Sequence, residues 1–232
     1  MGDTALRQLD RDLWAIDQPL RVGGLELGAR TCLVRLADGG LLVHAPGPRT
    51  AALRGEIEAL GPVRALIAPN LLHHLSLAEA ARAFPQARVF AAPRLREKLG
   101  GAVRIDEVLA EKEPALWANQ LEQRIVEGAP GLGEVAFLHR ASRTLLCLDL
   151  CFNVRGSPSR FTRLFMRANG AFGRFGPSRL FRYAILKDPR AMRASVDRIL
   201  AWDFERVSVA HGEVLEHGGH AALRESFAWL RG

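Results

Sequence analysis

Short apolar segments around Leu13, Trp14, Ala15 and Ile16, and again at Leu25 and Leu27, predict two strands near the N-terminus. Residues 30–36 and 40–44 form a clearer pair, because the Asp38-Gly39 step between them tolerates the positive φ of a tight hairpin turn. The second of these strands ends at His44-Ala45-Pro46-Gly47, where proline and glycine break the ladder. Ala52, Leu53, Ile57 and Leu60 then follow helical spacing, and Gly61-Pro62 stops that helix. Residues 63–68 read as a buried strand. The polar loop after it carries Asn70, His73 and His74, and Ser76-Leu77-Ala78-Glu79 has the S-x-x-E pattern of a capping box opening a helix to about Phe84. With a further strand over 86–92, the first half has a β-α-β-α-β order.

The second half returns to antiparallel signals. Residues 121–126, 133–138 and 143–148 are predicted strands, and the last runs directly into Asp149. Residues 191–201 are an amphipathic helix, 207–210 a short buried strand ending at His211-Gly212, and 221–230 a terminal helix. No repeat of fixed period is present, and no Gly-rich dinucleotide fingerprint, Walker loop or G-x-S-x-G elbow.

At 232 residues, 48% hydrophobic and 25% charged, the chain has the balance of one globular domain, 1–232, which excludes disordered, collagenous and coiled-coil classes. No segment approaches the roughly 18 consecutive apolar residues of a membrane span. The N-terminal residues lack a secretory pattern, so a cytoplasmic location is expected. The net charge of +7 is localised. Ten basic residues fall between Arg155 and Arg193 against Asp188 alone, while the rest of the chain holds 22 basic and 24 acidic residues. A near-neutral body therefore carries one basic, aromatic-rich helical insertion over 155–190. Cys32, Cys147 and Cys151 form no C-x-x-C pair and read as buried reduced thiols.

His44, His73, His74, Asp149 and His211 each fall just after a predicted buried strand. Loops at one end of a sheet converge in layered folds, and imidazoles with a carboxylate suit zinc or iron. Taken singly, each histidine also reads as a hydrogen-bonded structural residue.

The order of these residues resembles the metallo-β-lactamase superfamily, and within it an uncharacterised branch of unknown function. The matching parts are the hairpin ending in Leu42-Val43-His44-Ala45-Pro46-Gly47, the strand-loop-helix around His73-His74, Ala129-Pro130-Gly131, the hairpin ending in Leu146-Cys147-Leu148-Asp149, and Val209-Ala210-His211-Gly212. The resemblance implies an α/β (α+β) fold, an αββα four-layer sandwich. The family's H-x-H-x-D-H loop is degenerate here. With its last His on His74, Pro69 and Leu71 stand where the first two His would be, His73 replaces the Asp, and Leu132 replaces a further His. The resemblance therefore implies an empty first metal site and a second one held by His73, His74, Asp149 and His211. One divalent metal is expected, zinc ahead of iron. His44 takes the place of an outer-shell Asp able to orient a ligand or bound water, and Asn70 is placed to donate to a substrate oxygen or that water. Glu134, at a strand start, is expected to pair with an arginine. His139, at the far turn of the Asp149 hairpin, is expected to be structural, and His217 and His220 are expected to be solvent-facing or capping groups.

In the insertion, Phe161, Leu164, Phe165 and Ala168 have helical spacing with Arg160, Arg163 and Arg167 on adjoining faces. Gly170, Gly173 and Gly176-Pro177 separate this helix from a second amphipathic piece over 179–186. Placed after Asp149, the pair is expected to cover the site as a lid. Its arginines suit an anionic small-molecule substrate, with Arg160, Arg163 and Arg167 as binding residues. The same pattern suits an anionic membrane surface or a homodimer contact, and also the plain case of phenylalanines packed on the body beneath solvated arginines. No groove-reading motif supports specific nucleic-acid binding. The expected activity is metal-dependent hydrolysis of a small acidic or ester-type substrate at a single-metal site. The alternative is a non-catalytic member that has lost its metal and serves binding, assembly or membrane association.

Overall fold

A computed structural model describes residues 6–231. The chain opens with β1 (Leu6–Asp10), β2 (Leu13–Gln18), the small hairpin β3 (Arg21–Val22) and β4 (Leu25–Glu26), then β5 (Ala29–Arg35) and β6 (Leu41–His44). There follow α1 (Arg54–Leu60), β7 (Val63–Ala68), α2 (Leu77–Ala83), β8 (Arg88–Ala91), α3 (Leu95–Leu99) and β9 (Glu107–Val108). The second half comprises β10 (Leu121–Ile125), β11 (Val135–His139), β12 (Thr144–Leu146), α4 (Arg160–Ala168), α5 (Pro189–Leu200), β13 (Arg206–Ser208) and α6 (Gly219–Ser226).

Seven strands form one sheet in the order β1-β2-β5-β6-β7-β8-β9, and four form a second in the order β10-β11-β12-β13. The period-2 alternation of strand side chains builds three apolar layers. Leu33, Val43 and Leu66 face α1 and α2, meeting Ile57, Leu77 and Ala80. Their neighbours Val34, Leu42, Ala65 and Ile67 face the second sheet, where Val135, Phe137 and Leu146 receive them together with Trp117 from the turn before β10. On the outer side of that sheet, Ala136, Leu138, Leu145 and Val207 pack on Met192, Val196 and Ile199 of α5 and on Leu223 of α6. Helix, sheet, sheet, helix is the αββα sandwich expected from the residue order.

Local departures from expectation have local causes. At the Asp38-Gly39 turn Gly39 takes φ +80° and the Asp38 carboxylate accepts from the Gly40 amide at 2.9 Å, as a tight hairpin requires. The Ser76 capping box does not form: α2 starts there, but Ser76 has φ −93°, ψ 2° and caps with no side-chain bond. The chain enters α2 from a turn, Leu77 N–H donating to His74 C=O at 3.0 Å, so no extended cap residue is needed. Helix α5 instead begins two residues before the predicted start, capped by Asp188, which accepts from the amides of Arg190 and Ala191. The terminal helix ends at Ser226 and continues as a 3-10 turn over Ala228–Arg231.

The topology decides where chemistry gathers. β6, β7 and β8 run parallel, as do β12 and β13. His44 ends β6, Asn70 and His73 follow β7, Asp149 follows β12 and His211 follows β13. Loops at the carboxyl ends of parallel strands share one edge, where α/β folds bind ligands.

Candidate metal centre

Three side chains meet at that edge. Ligand atoms of His73, Asp149 and His211 all lie within 4.8 Å of one another. His73 Nε2 is 3.2 Å from Asp149 Oδ2, and His211 Nε2 is 3.3 Å from Asp149 Oδ1. His74, expected as a fourth ligand, stands outside this group and lines the cavity above it beside Lys98. Adjacent residues of a turn point differently, so one loop step separates a converging imidazole from a rim imidazole.

Each converging group is held from behind. The Asn70 amide oxygen accepts from the backbone N–H groups of Leu72 (2.9 Å) and His73 (2.7 Å), closing the turn that presents His73. The Asn70 amide nitrogen donates to Asp149 Oδ2 at 2.8 Å. Asn70 is fully buried with both ends of its amide engaged, so the geometry makes it a positioning residue rather than the substrate donor anticipated from the sequence. His211 Nδ1 donates to the Gly28 carbonyl at 2.6 Å, directing Nε2 to the site, and Phe152 stacks on its ring at 5.6 Å.

Two supports were misread or missed in the sequence. Among the described residues Glu134 has no arginine partner; it is fully buried and accepts from the amides of Leu148 (2.7 Å), Asp149 (2.8 Å) and Leu150 (3.2 Å). Those donors belong to a sharp bend after β12 that no strand can satisfy, and an acceptor from the neighbouring strand supplies what they lack. Arg30 is only 5% exposed, pairs with Asp17 at 2.6 Å, and donates to the carbonyls of Val209 (2.9 Å) and Gly212 (2.8 Å), clamping the His211 turn. Its position inside the β5 apolar run, Ala-Arg-Thr-Cys-Leu-Val, was the available signal: an arginine in a buried strand needs partners.

Burial and neighbouring charge set the protonation states. Burial pushes the Asp149 carboxyl up, but the adjacent His73 and the hydrogen bonds from His211 and His73 outweigh it and hold the group below the ordinary carboxylate range. For His211 burial favours the neutral ring, yet the Asp149 contact and the Gly28 hydrogen bond prevail and raise it. Burial, then the nearby His73, drives His44 down to about 3. Its Nε2 is buried with no hydrogen-bond partner among the described residues, and the ring stands edge-on to Phe137 at 5.2 Å. Burial and the Asp149 charge push Glu134 up to about 7. His74 is lowered by burial and by Lys98.

The donor set suits a metal. Two imidazole nitrogens and a carboxylate, one imidazole oriented by a backbone carbonyl, are three protein ligands with room for a further one. His211 Nε2 faces Asp149 Oδ1 at 3.3 Å, so a cation bound there would take the place of a proton on that nitrogen. Where the resemblance puts ligands of a first metal, Leu71 and Leu132 are buried aliphatic residues joined by a 2.9 Å backbone hydrogen bond. Cys32, Cys147 and Cys151 are free and buried. His139 ends an antiparallel strand at the opposite edge, bonded to Ser142 Oγ at 2.7 Å, and lines a separate 420 Å³ cavity. His220 Nε2 donates to the Leu200 carbonyl at 2.8 Å; His217 is exposed.

Above the triad lies a cavity of about 580 Å³, with His73, Asp149 and His211 in its lining. Leu20, Val22 and Leu27 come from the β3–β4 hairpin region, Pro46 and Pro48 from the loop after β6, Leu72 and Leu75 from the His73 loop, and Leu180, Phe181 and Ile185 from the insertion. The insertion thus forms one wall, as a lid would, but its contribution is apolar. Arg160, Arg163 and Arg167 do not line this cavity. Their helix, α4, docks on the β3–β4 hairpin through Thr162 Oγ1, which accepts from the Glu26 amide at 2.9 Å. Arg163 is turned back onto the carbonyl of Pro158 at 3.1 Å, and Arg167 stacks over Phe172 at 4.8 Å.

The sandwich and its shared strand-end edge are those of the metallo-β-lactamase fold. A metallo-beta-lactamase from Pontibacter korlensis superposes with a TM-score of 0.70 at 13% identity, covering 98% of each chain. One from Erythrobacter litoralis gives 0.68 at 14% identity over 100% of this chain and 97% of that one. A metal-soaked flavodiiron core from Synechocystis sp. gives 0.71 at 13% identity over 97% of this chain and 60% of that one. Within this fold the chain belongs to the family described as a domain of unknown function, DUF4336, whose profile matches residues 10–171. No curated protein matches the sequence. Among the described residues no helix is long and apolar enough to cross a membrane.

Proposed function

We propose that this protein is a metal-dependent hydrolase with one divalent ion, zinc ahead of iron, held by His73, Asp149 and His211, and that it cleaves an ester whose apolar part fills the 580 Å³ cavity. The observation that carries this reading is the placement of a three-ligand set, oriented from behind by Gly28 and Asn70, in the lining of a largely apolar cavity. When bound, the ion would polarise a carbonyl or phosphoryl oxygen and bring the pKa of water towards neutrality. The chain's own residues supply the rest. Asn70 and Glu134 hold Asp149 in position, Arg30 holds the His211 turn, and the leucines, prolines and Phe181 exclude bulk water and receive an acyl chain. His44, kept neutral by burial, adds no competing positive charge beside His73.

One observation favours a second reading. His73 and His211 both lie within about hydrogen-bonding distance of Asp149, so a metal-free protein already has a partner for each imidazole, and a binding protein would need nothing more. Elemental analysis of protein purified without a histidine tag separates the two. About one zinc or iron per chain, with hydrolysis of p-nitrophenyl esters that improves from acetate to hexanoate and stops on metal removal, supports the enzyme. A chain that takes up no zinc, iron or manganese overturns it.

A further inference from the structure

The arginines of the insertion that do not face the candidate metal centre gather elsewhere. A second cavity, about 690 Å³, is lined by Arg155, Arg174, Arg179 and Arg182, with Tyr183 and Trp229 beside them. We propose that it is a binding site for a phosphoryl group, carried either by a small soluble molecule or by a lipid headgroup. This does not rest on the hydrolase reading.

The charge there is uncompensated. None of the four guanidinium groups forms an ion pair with a carboxylate among the described residues, although most other arginines of the fold do. Glu225 is the one acidic residue in the lining. Like charges are nevertheless brought together. A Cβ placed on Gly170 would stand 3.2 Å from Arg174 Nη2 and 3.5 Å from Arg179 Nε, so these two heads converge over one glycine. Gly170 itself has φ +63°, the left-handed turn that lets the chain after α4 fold back beneath them.

Each of these exposed heads also has a tether. Arg174 Nε donates to the Gly170 carbonyl, Arg179 Nη1 to the Ala168 carbonyl at 3.1 Å, and Arg155 Nε to Asn153 Oδ1 at 3.2 Å. Arg182 lies over the Trp229 ring at 4.2 Å and the Tyr183 ring at 5.4 Å. Each contact leaves further N–H groups of its guanidinium free. Arginines ordered by carbonyls and aromatic faces, with donors left over and no counter-charge, are preorganised for a dianion with several acceptor oxygens, and a tetrahedral phosphoryl group matches the guanidinium fork. Ser178 lines both cavities, and the turn Phe181–Ile185 presents Phe181 and Ile185 to the apolar cavity but Arg182 and Tyr183 to this one. A ligand here would rest on the wall of the other.

Titration calorimetry of the full chain with inorganic pyrophosphate tests the site, alongside co-sedimentation with vesicles of phosphatidylcholine alone or with added phosphatidic acid. Saturable binding of pyrophosphate or of phosphatidic acid vesicles is expected, weakened about tenfold or more by Arg174→Ala with Arg179→Ala. The charge-matched pair Arg49→Ala with Arg190→Ala should stay within about twofold of wild type. Arg174→Lys with Arg179→Lys keeps the charge and should still weaken binding, because the fork is lost. Circular dichroism confirms that each variant is folded. Pyrophosphate without vesicle binding identifies a soluble ligand; retention on phosphatidic acid alone identifies a headgroup. Equal weakening by both alanine pairs, binding of malonate as tight as pyrophosphate, or no saturable binding in either arm overturns the proposal.

Discussion

Glu134→Ala tests the support of the candidate centre most directly. The carboxylate accepts from three consecutive backbone amides, those of Leu148, Asp149 and Leu150, and it is fully buried, so water cannot replace it without opening the core. An orphaned buried donor costs about 1–3 kcal/mol. Three would cost roughly 3–9 kcal/mol, and relaxation of the bend towards the cavity brings the expected loss to about 4 kcal/mol. That is a large part of the roughly 5–15 kcal/mol that stabilises a domain. Glu134→Gln keeps one acceptor but turns an NH2 group towards the remaining amide, so it should lose roughly half as much. Urea unfolding followed by tryptophan fluorescence measures both. The bend carries Asp149, so metal affinity should also fall, by about tenfold or more. An alanine variant within about 1 kcal/mol of wild type, or a glutamine variant no better than alanine, would refute the account of Glu134 as the acceptor that shapes this bend.

His73→Ala and His211→Ala should each lower metal content at least about tenfold, while His74→Ala, outside the ligand group, should leave it within about twofold, all read by elemental analysis. His44 has its pKa depressed to about 3, so the unfolded chain binds the extra proton first, and stability present above pH 6.5 is lost as pH falls towards 3. His44→Leu should remove a loss of about 4 kcal/mol over that window, seen as a flatter unfolding free energy from pH 7 to pH 4 than in wild type. Glu134 acts in the opposite sense: its pKa is raised to about 7, so its contribution is complete below about pH 4.5 and declines as pH rises through 7. Glu134→Gln should abolish that decline. Gly212 has φ +101°, and a Cβ there would lie 2.2 Å from the Asn153 carbonyl oxygen. Gly212→Ala should therefore cost at least about 2 kcal/mol in urea unfolding and disturb metal uptake through the His211 turn.

The sandwich was legible in the chain because its evidence is local and periodic. Apolar runs such as 41–44 and 63–68 have the length of buried strands, the Asp38-Gly39 turn and the Gly61-Pro62 stop are chemical punctuation, and the order of strand-end residues carried the family resemblance. The same information brought His73, Asp149 and His211 to one edge, since a residue just after a parallel strand lies at that edge wherever the strand sits in the sheet. Direction within a loop is another matter. His73 and His74 are indistinguishable by position, and the Asn70 turn, set by two backbone amides, decides that the first converges and the second does not. Arg30 acts across the sandwich on a turn distant in sequence, and Glu134 on the bend beyond the neighbouring strand of its own sheet, so neither charge could be paired with its true partners before the strands were placed. The insertion shows the same division: its composition announced arginines and phenylalanines, but which face of a short turn meets which cavity depends on packing. There Phe181 went to the cavity beside His73 and His211 and Arg182 to Trp229, because burying the phenylalanine is favourable and burying an unpaired guanidinium is not.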